Sequence, residues 1–116
     1  MTNKLIQFLH DRESKGLILG NNGFRAERYP VGGIRVWYEG MELCWLEPDG
    51  LQWTVRITSL DSRAKCNRMT EILALLGMPQ LRVRWSKRGE SIQRAYNGLV
   101  MAEYSLPLKQ PLRATV

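Results

Sequence analysis

The chain has 116 residues, of which 44% are hydrophobic and 24% charged, a composition typical of one globular domain rather than a disordered segment. It has no run of eighteen apolar residues, and its first sixteen residues lack a continuous apolar core, so we predict neither a transmembrane helix nor a secretory signal. Cys44 and Cys66 show no C-x-x-C spacing. This pattern predicts two buried thiols in a cytoplasmic protein, and one disulfide is the alternative. Together with His10, the two cysteines are too few to form a metal site. No cofactor is predicted.

The net charge of +6 is unevenly divided along the chain. Residues 1–61 hold seven basic and eight acidic side chains, whereas residues 62–116 hold ten basic and three acidic ones. Such an asymmetry favours an anionic partner for the second half. The alternative is that folding mixes the two halves in space and that the excess charge only keeps the protein soluble.

The first predicted element is a short helix over residues 3–15. Leu5, Ile6, Phe8 and Leu9 form its apolar stripe, at the spacing of a helix that lies on a core.

Turn-forming residues divide the next part of the chain into strands. Asn22-Gly23 supplies the positive φ angles of a tight turn and predicts a hairpin between residues 17–19 and 24–28. Glu39-Gly40 and Pro48-Asp49-Gly50 predict two further turns. The strands on either side of these turns are predicted at residues 34–38, 41–46 and 51–58.

The strand at residues 41–46 has an ambiguous pattern. Met41, Leu43 and Trp45 make one apolar face, yet Cys44 and Leu46 lie on the opposite one. Strict alternation therefore does not decide which face is buried.

The second half opens with the clearest helix, which begins after Asp61 or Ser62 and ends at Gly77 and Pro79. A strand at residues 81–85, a turn, a return strand near 92–96 and a last strand in "GLVMAEYSL" follow. This order predicts an α+β fold over residues 1–106: an antiparallel β-meander sheet with an N-terminal helix and one amphipathic helix packed on it. Residues 107–116 are predicted to be an extended C-terminal tail.

No arrangement of residues indicates catalysis, and we predict that the protein is not an enzyme. His10 is the single histidine, so any Ser–His or Cys–His pair would have to use it. It lies at the polar end of a short helix, where an exposed side chain is expected. No pair of carboxylates is placed for acid and base roles, and the glycines do not match a phosphate loop.

Basic residues of the second half form the main candidate site. In "LRVRWSKRGESIQR", Arg82 and Arg84 alternate with apolar residues and would lie about 6.6 Å apart on one strand face. A row of this kind can meet successive phosphates, release counterions and add bidentate contacts. The predicted nucleic-acid-binding residues are Arg63, Lys65, Arg68, Arg82, Arg84, Lys87, Arg88 and Arg94. Whether the nucleic acid is DNA or RNA, single- or double-stranded, stays open.

An alternative is that these arginines protect an edge strand from unwanted pairing. If the strand at residues 81–85 is exposed, it could instead form a homodimer.

Exposed aromatic side chains can serve as stacking platforms for single-stranded nucleic acid. Trp53 and Trp85 alternate with polar residues and are predicted to lie in the core. Trp37 is the one tryptophan with an exposed position, and Tyr96 and Tyr104 are undecided. One exposed ring is not enough to stack several bases, so the aromatic residues give little support for binding of single-stranded nucleic acid.

A second functional hypothesis is a protein-binding inhibitor or adaptor. Arg35, Trp37 and Tyr38 are the residue types that anchor protein interfaces, and they are the predicted partner-binding residues.

The hairpin "YEGMELCWLEPDGLQWTV", the segment "SRAKCNRMTEILALLG" and the strand "RVRWSKRGES" together resemble a pattern of small bacteriophage and prophage accessory proteins of unknown function. In that pattern a helix with an R-L-N-x-x-L core lies between a hairpin and a strand that ends in a basic turn. Arg68 to Leu73 match this core with Met69 in place of leucine and Thr70 in place of asparagine, and the match covers residues 38–89. The resemblance implies an accessory role, as a small regulator, nucleic-acid binder or inhibitor of host defence, in the host cytoplasm, and carries over no catalytic residue.

Overall fold

The computed structural model describes residues 3–11, 13, 15–19, 23–30 and 32–116, with residues 17–19 described by their backbone alone. The elements in chain order are α1 (Lys4–His10), β1 (Gly16–Leu19), β2 (Phe24–Arg28), β3 (Ile34–Tyr38), β4 (Met41–Asp49), β5 (Gln52–Ile57), α2 (Arg63–Leu75), β6 (Leu81–Ser86), β7 (Gly89–Tyr96), β8 (Leu99–Ser105) and β9 (Leu112–Ala114).

The strands form two antiparallel sheets that share one hydrophobic core. The larger sheet has the order β1-β2-β3-β4-β5-β9 and the smaller one the order β6-β7-β8. The core includes Leu5 of α1, Val36 of the larger sheet, Met69 of α2 and Val83 of the smaller sheet, all almost fully buried. The predicted α+β fold, with a meander sheet and a helix packed on it, is therefore confirmed.

The N-terminal helix is shorter than predicted. The Asn3 side chain caps it by accepting a hydrogen bond from the Ile6 N–H at 2.9 Å, and Asp11 ends it in an extended conformation. The predicted hairpin is present, because β1 pairs antiparallel with β2. Gly23 has the expected positive φ of 83°, whereas Asn22 lies outside the described residues.

Strand β4 runs three residues beyond its predicted end at Leu46. Pro48 and Asp49 pair with Trp53 and Gln52 of β5, so they belong to the ladder and not to the turn. The turn falls on Gly50, at a φ of 64°, and Leu51.

A bulge explains the ambiguous pattern of β4. Val36 pairs with Cys44 and Trp37 with Glu42, which leaves Leu43 without a partner on β3. An extra residue shifts the alternation of a strand from one face to the other. Both Leu43 and Cys44 are consequently fully buried.

The C-terminal segment does not stand apart from the domain as a tail, because its strand β9 is paired into the larger sheet. Trp53 and Val55 of β5 pair with Ala114 and Leu112 of β9, and Ala114 is buried. This tail therefore supplies an edge strand.

Both cysteines are free and buried, which confirms the buried thiols; the alternative of a disulfide is wrong. Burial raises the pKa of the Cys44 thiol far above its ordinary value, with a smaller contribution from the Glu42 charge. Burial also raises the pKa of Cys66. Neither thiol is in the reactive thiolate form at neutral pH. In the described part of the chain, no helix has the length and apolar character needed to cross a bilayer.

The outer face of the larger sheet carries an aromatic cluster around Trp45. The indole stacks on Tyr29 with ring centroids 5.6 Å apart, and the Arg35 guanidinium lies 4.5 Å from the indole centroid. Gly33 makes this packing possible, since a Cβ there would come within 2.6 Å of Trp45 Cζ2.

We predict that Gly33→Ala lowers the stability of the protein by about 1–3 kcal/mol, the usual cost of overpacking. The indole cannot move freely because the Tyr29 ring stacks on it and the Arg35 guanidinium contacts both rings. Chemical denaturation measures the change. Gly16→Ala is the matched control, because its new Cβ would meet only an ordinary contact at 3.6 Å. Equal stability of the two variants would contradict the prediction.

Candidate nucleic-acid interface

Helix α2 covers the outer edge of β6. The Thr70 hydroxyl accepts a hydrogen bond from the Val83 N–H at 2.8 Å and lies 2.9 Å from the Cys66 carbonyl oxygen, to which it donates. One side chain thus satisfies main-chain groups of both elements. Strand β6 is an edge strand of the smaller sheet, and α2 lies along its outer side. A homodimer through the strand at residues 81–85 would therefore have to displace the helix, and protection of an edge strand by the arginines stays an alternative prediction.

Strand β6 alternates as predicted. Leu81 and Val83 are buried in the core, while Arg82 and Arg84 are exposed on the opposite face. In the neighbouring strand, Arg82 pairs with Gln93 and Arg84 with Ser91. The two arginines therefore share one solvent-facing side of the smaller sheet.

A groove of about 530 Å³ lies between α2 and β6. Arg63, Asn67 and Thr70, spaced at i, i+4 and i+7, line its helical side, and Arg82 and Arg84 line its strand side. Its remaining lining residues are Val83 and Trp85.

The groove carries positive charge because none of its arginines forms a direct ion pair among the described residues, although Glu103 lies near Arg84. Within the described residues, no carboxylate lies within 4 Å of the guanidinium nitrogens of Arg63, Arg82 or Arg84. The Arg63 guanidinium instead lies 5.6 Å from the centroid of the Trp85 ring, where the ring quadrupole attracts a cation without cancelling its charge.

A hydrogen-bonded chain orients Arg82. Its Nε donates to Gln93 Oε1 at 2.9 Å, and Gln93 Nε2 donates to Glu103 at 2.6 Å. Gln93 is buried, so this chain satisfies both ends of its amide. The hydrogen bonds from Gln93 and Ser91 lower the pKa of Glu103, and the nearby Arg84 charge lowers it further.

Two more predicted residues lie beside the groove. Lys87 and Arg88 form the turn between β6 and β7 and are exposed. The Ser86 hydroxyl accepts from the Arg88 N–H at 3.3 Å and donates to the Gly89 carbonyl oxygen at 2.8 Å. The turn thus continues the basic surface from Arg84.

Two predicted residues of α2 are engaged elsewhere. Lys65 forms an ion pair with Asp61 at 2.8 Å, which lowers the pKa of that carboxyl. Arg68 forms one with Glu71 at 3.1 Å and donates to the Tyr38 hydroxyl at 3.3 Å. The hydrogen bond to Tyr38 is the main cause of the raised Arg68 pKa.

The remaining predicted residue, Arg94, lies on the other face of the smaller sheet. It pairs with Leu81, and directly opposed residues share a face. The structure therefore brings together Arg63, Arg82, Arg84, Lys87 and Arg88, and leaves out Lys65, Arg68 and Arg94.

The predicted protein-binding residues do not form one patch. Arg35 and Trp37 are on the outer face of the larger sheet, opposite Trp45 and Glu42 of β4. Tyr38 faces the other way, with its ring 5.4 Å from that of Phe24. An anchor built from Arg35, Trp37 and Tyr38 together is not available.

Trp85, predicted to be a core residue, packs against the core but also lines the groove. Sequence reasoning also missed Asn67 and Thr70. A usable signal was present, since Arg63, Asn67 and Thr70 form a polar row at helical spacing.

His10 is exposed at the end of α1, as predicted. It borders a second cavity of about 760 Å³, whose described lining residues include Arg28 and Leu51 but no aspartate, glutamate or cysteine. In the described ranges, no three histidine, cysteine or acidic side chains come together as potential metal ligands.

Comparison with known proteins finds no matching family model, no similar curated protein and no similar solved structure. The groove must therefore be interpreted from its own chemistry.

We predict that Thr70→Val destabilises the protein by about 1–2 kcal/mol, because the Val83 N–H would lose its partner beneath α2. Thr70→Ser is the matched control, since it keeps the hydroxyl. Unfolding in urea measures both. A Thr70→Val variant as stable as Thr70→Ser would contradict this role of the hydroxyl.

A second prediction concerns pH. A carboxyl whose pKa is lowered by folding stabilises the folded state above its ordinary pKa, and this contribution is lost as the pH falls through the lowered value. Glu103→Gln should therefore reduce the melting temperature at neutral pH, and the difference from wild type should shrink on acidification. Glu13→Gln, at another exposed glutamate, is the control. A difference that is independent of pH would contradict the prediction.

Proposed function

We propose that the protein is a non-enzymatic, cytoplasmic accessory protein that binds the phosphate backbone of nucleic acid in the groove between α2 and β6. The observation that carries the proposal is the convergence of Arg63, Arg82 and Arg84 on one groove without a direct ion pair among the described residues.

Unpaired arginines favour a phosphate ligand for two reasons. A guanidinium presents a planar fork of N–H donors that fits phosphate oxygens, and it is weakly hydrated compared with an ammonium group. Residues two apart on a strand, such as Arg82 and Arg84, are separated by about 6.6 Å, a distance similar to the phosphate spacing of a nucleic-acid strand.

The strength of binding should depend steeply on salt. Arg63, Arg82, Arg84, Lys87 and Arg88 could neutralise up to five phosphates. Counterion release then gives a slope of log K against log salt of roughly −3.5 for single strands and −4.5 for duplex DNA.

Base stacking is not part of this proposal. Trp85 is only partly exposed and carries Arg63 on its ring. Tyr104 is exposed but pairs with Ile92, a core-facing residue, so it lies on the opposite face from Arg82. The groove therefore favours sequence-independent contact with phosphates.

We predict that Arg82→Glu/Arg84→Glu weakens oligonucleotide binding at least tenfold and reduces the salt slope by about two, since each lost phosphate contact removes about one from the slope. Fluorescence anisotropy with short single- and double-stranded oligonucleotides across a salt series measures both quantities.

Arg94→Glu/Lys109→Glu is the matched control, because both residues are exposed, lie outside the groove and undergo the same change in charge. It should keep most of the slope. If wild type fails to bind at low salt, or if both double variants lose binding equally, the proposed groove is wrong.

A further inference from the structure

Strand β8 is an apolar strand at one edge of the smaller sheet. The order β6-β7-β8 leaves one side of β8 without a neighbouring strand among the described residues. Leu99, Met101 and Tyr104 are 68%, 65% and 55% exposed, and Val100 is nearly half exposed. Tyr96, at the end of the adjacent strand, extends the patch.

This edge lacks the side chains that usually discourage pairing, although an irregularity of the ladder at Met101 interrupts its regular register. Natural edge strands carry lysine, arginine or proline, which discourage the addition of another strand. The sequence LVMAEYS of β8 contains none of them. Its one charged residue, Glu103, accepts hydrogen bonds from Ser91 and Gln93 of its own sheet.

The other edge of the same sheet is closed, because the Thr70 hydroxyl of α2 binds the main chain of Val83 in β6. Pairing through β8 would therefore use the last open edge of this sheet and could not continue to a third copy. An interface that is the same on both partners and leaves no further edge produces a closed dimer with twofold symmetry.

We propose that β8 pairs antiparallel with β8 of a second copy of this chain, which joins two three-stranded sheets into one of six strands. This proposal does not depend on the proposed nucleic-acid binding.

The buried area sets the strength of such a dimer. Tyr96, Leu99, Val100, Met101 and Tyr104 together expose on the order of 400 Å² of apolar surface per copy. A standard stable interface buries about 800 Å² per partner, so the side chains supply about half of it and the main-chain hydrogen bonds add to them. The dimer should be reversible, with a Kd in the micromolar range.

The symmetry also determines where the basic grooves lie. A twofold axis perpendicular to the sheet keeps equivalent faces on the same side. Arg82 and Arg84 of both copies would then face one way, on β6 strands about 24 Å apart across five strand spacings.

Sedimentation equilibrium of the full chain over a range of concentrations tests the proposal. Wild type should pass from monomer to dimer with rising concentration. Met101→Lys should raise the dimer Kd at least tenfold, because it places a charge on the edge at a residue that has no partner on β7.

Leu51→Lys is the matched control. Leu51 is 93% exposed at the turn between β4 and β5, so the same charge is added at a distant apolar residue, and dimerisation should be unchanged. Thermal unfolding checks that both variants are folded. A wild type that stays monomeric at all concentrations, or a dimer that Met101→Lys leaves intact, overturns the proposal; in the first case, a strand of another protein becomes the partner to seek.

Discussion

The packing of α2 along β6 is the arrangement on which the second half of the structure depends, with Met69 and Val83 in one core and the Thr70 hydroxyl bonded to the main chain of Val83. The helix thereby takes the place of a further strand beside β6. The same placement brings Arg63 of the helix to the groove that Arg82 and Arg84 line. Closure of the sheet edge and formation of the basic groove therefore have one cause.

The distribution of carboxylates decides which cations stay available. On the outer face of the larger sheet, Arg25 is 3.0 Å from Glu27, and Arg35 and Arg56 lie 3.7 and 3.6 Å from Glu42 and Glu47. Exposed pairs of this kind contribute little stability, but they neutralise the face. The positive charge that remains is concentrated around the smaller sheet, in agreement with the uneven division of charge along the chain.

Local patterns predicted the elements that depend on near neighbours in sequence. The alternation of apolar and basic residues in β6 correctly predicted that Arg82 and Arg84 are exposed on one face. The helical spacing of apolar residues correctly predicted the buried face of α2, which includes Met69. Contacts between distant segments could not be predicted in this way. The bulge at Leu43 is set by register with β3. The ion pairs of Lys65 with Asp61 and of Arg68 with Glu71 are local, at spacings of four and three residues, so a signal for them was present in the sequence.

The same distinction applies to the site. Sequence could propose eight cations but not that Arg94 would point to the opposite face, because that depends on its register with Leu81. Nor could it show that α2 would lie against β6, since a polar row along a helix is also typical of a solvated face.

The pairing of β9 with β5 has a consequence for the order in which the protein can fold during synthesis. Trp53 pairs with Ala114, so the larger sheet cannot be completed until residue 114 has left the ribosome. The hairpins of the smaller sheet join segments that are adjacent in sequence and can form earlier, since local pairings carry a smaller cost of loop closure. Until β9 pairs with it, the edge of β5, which includes Val55, is open to solvent and to other nascent chains.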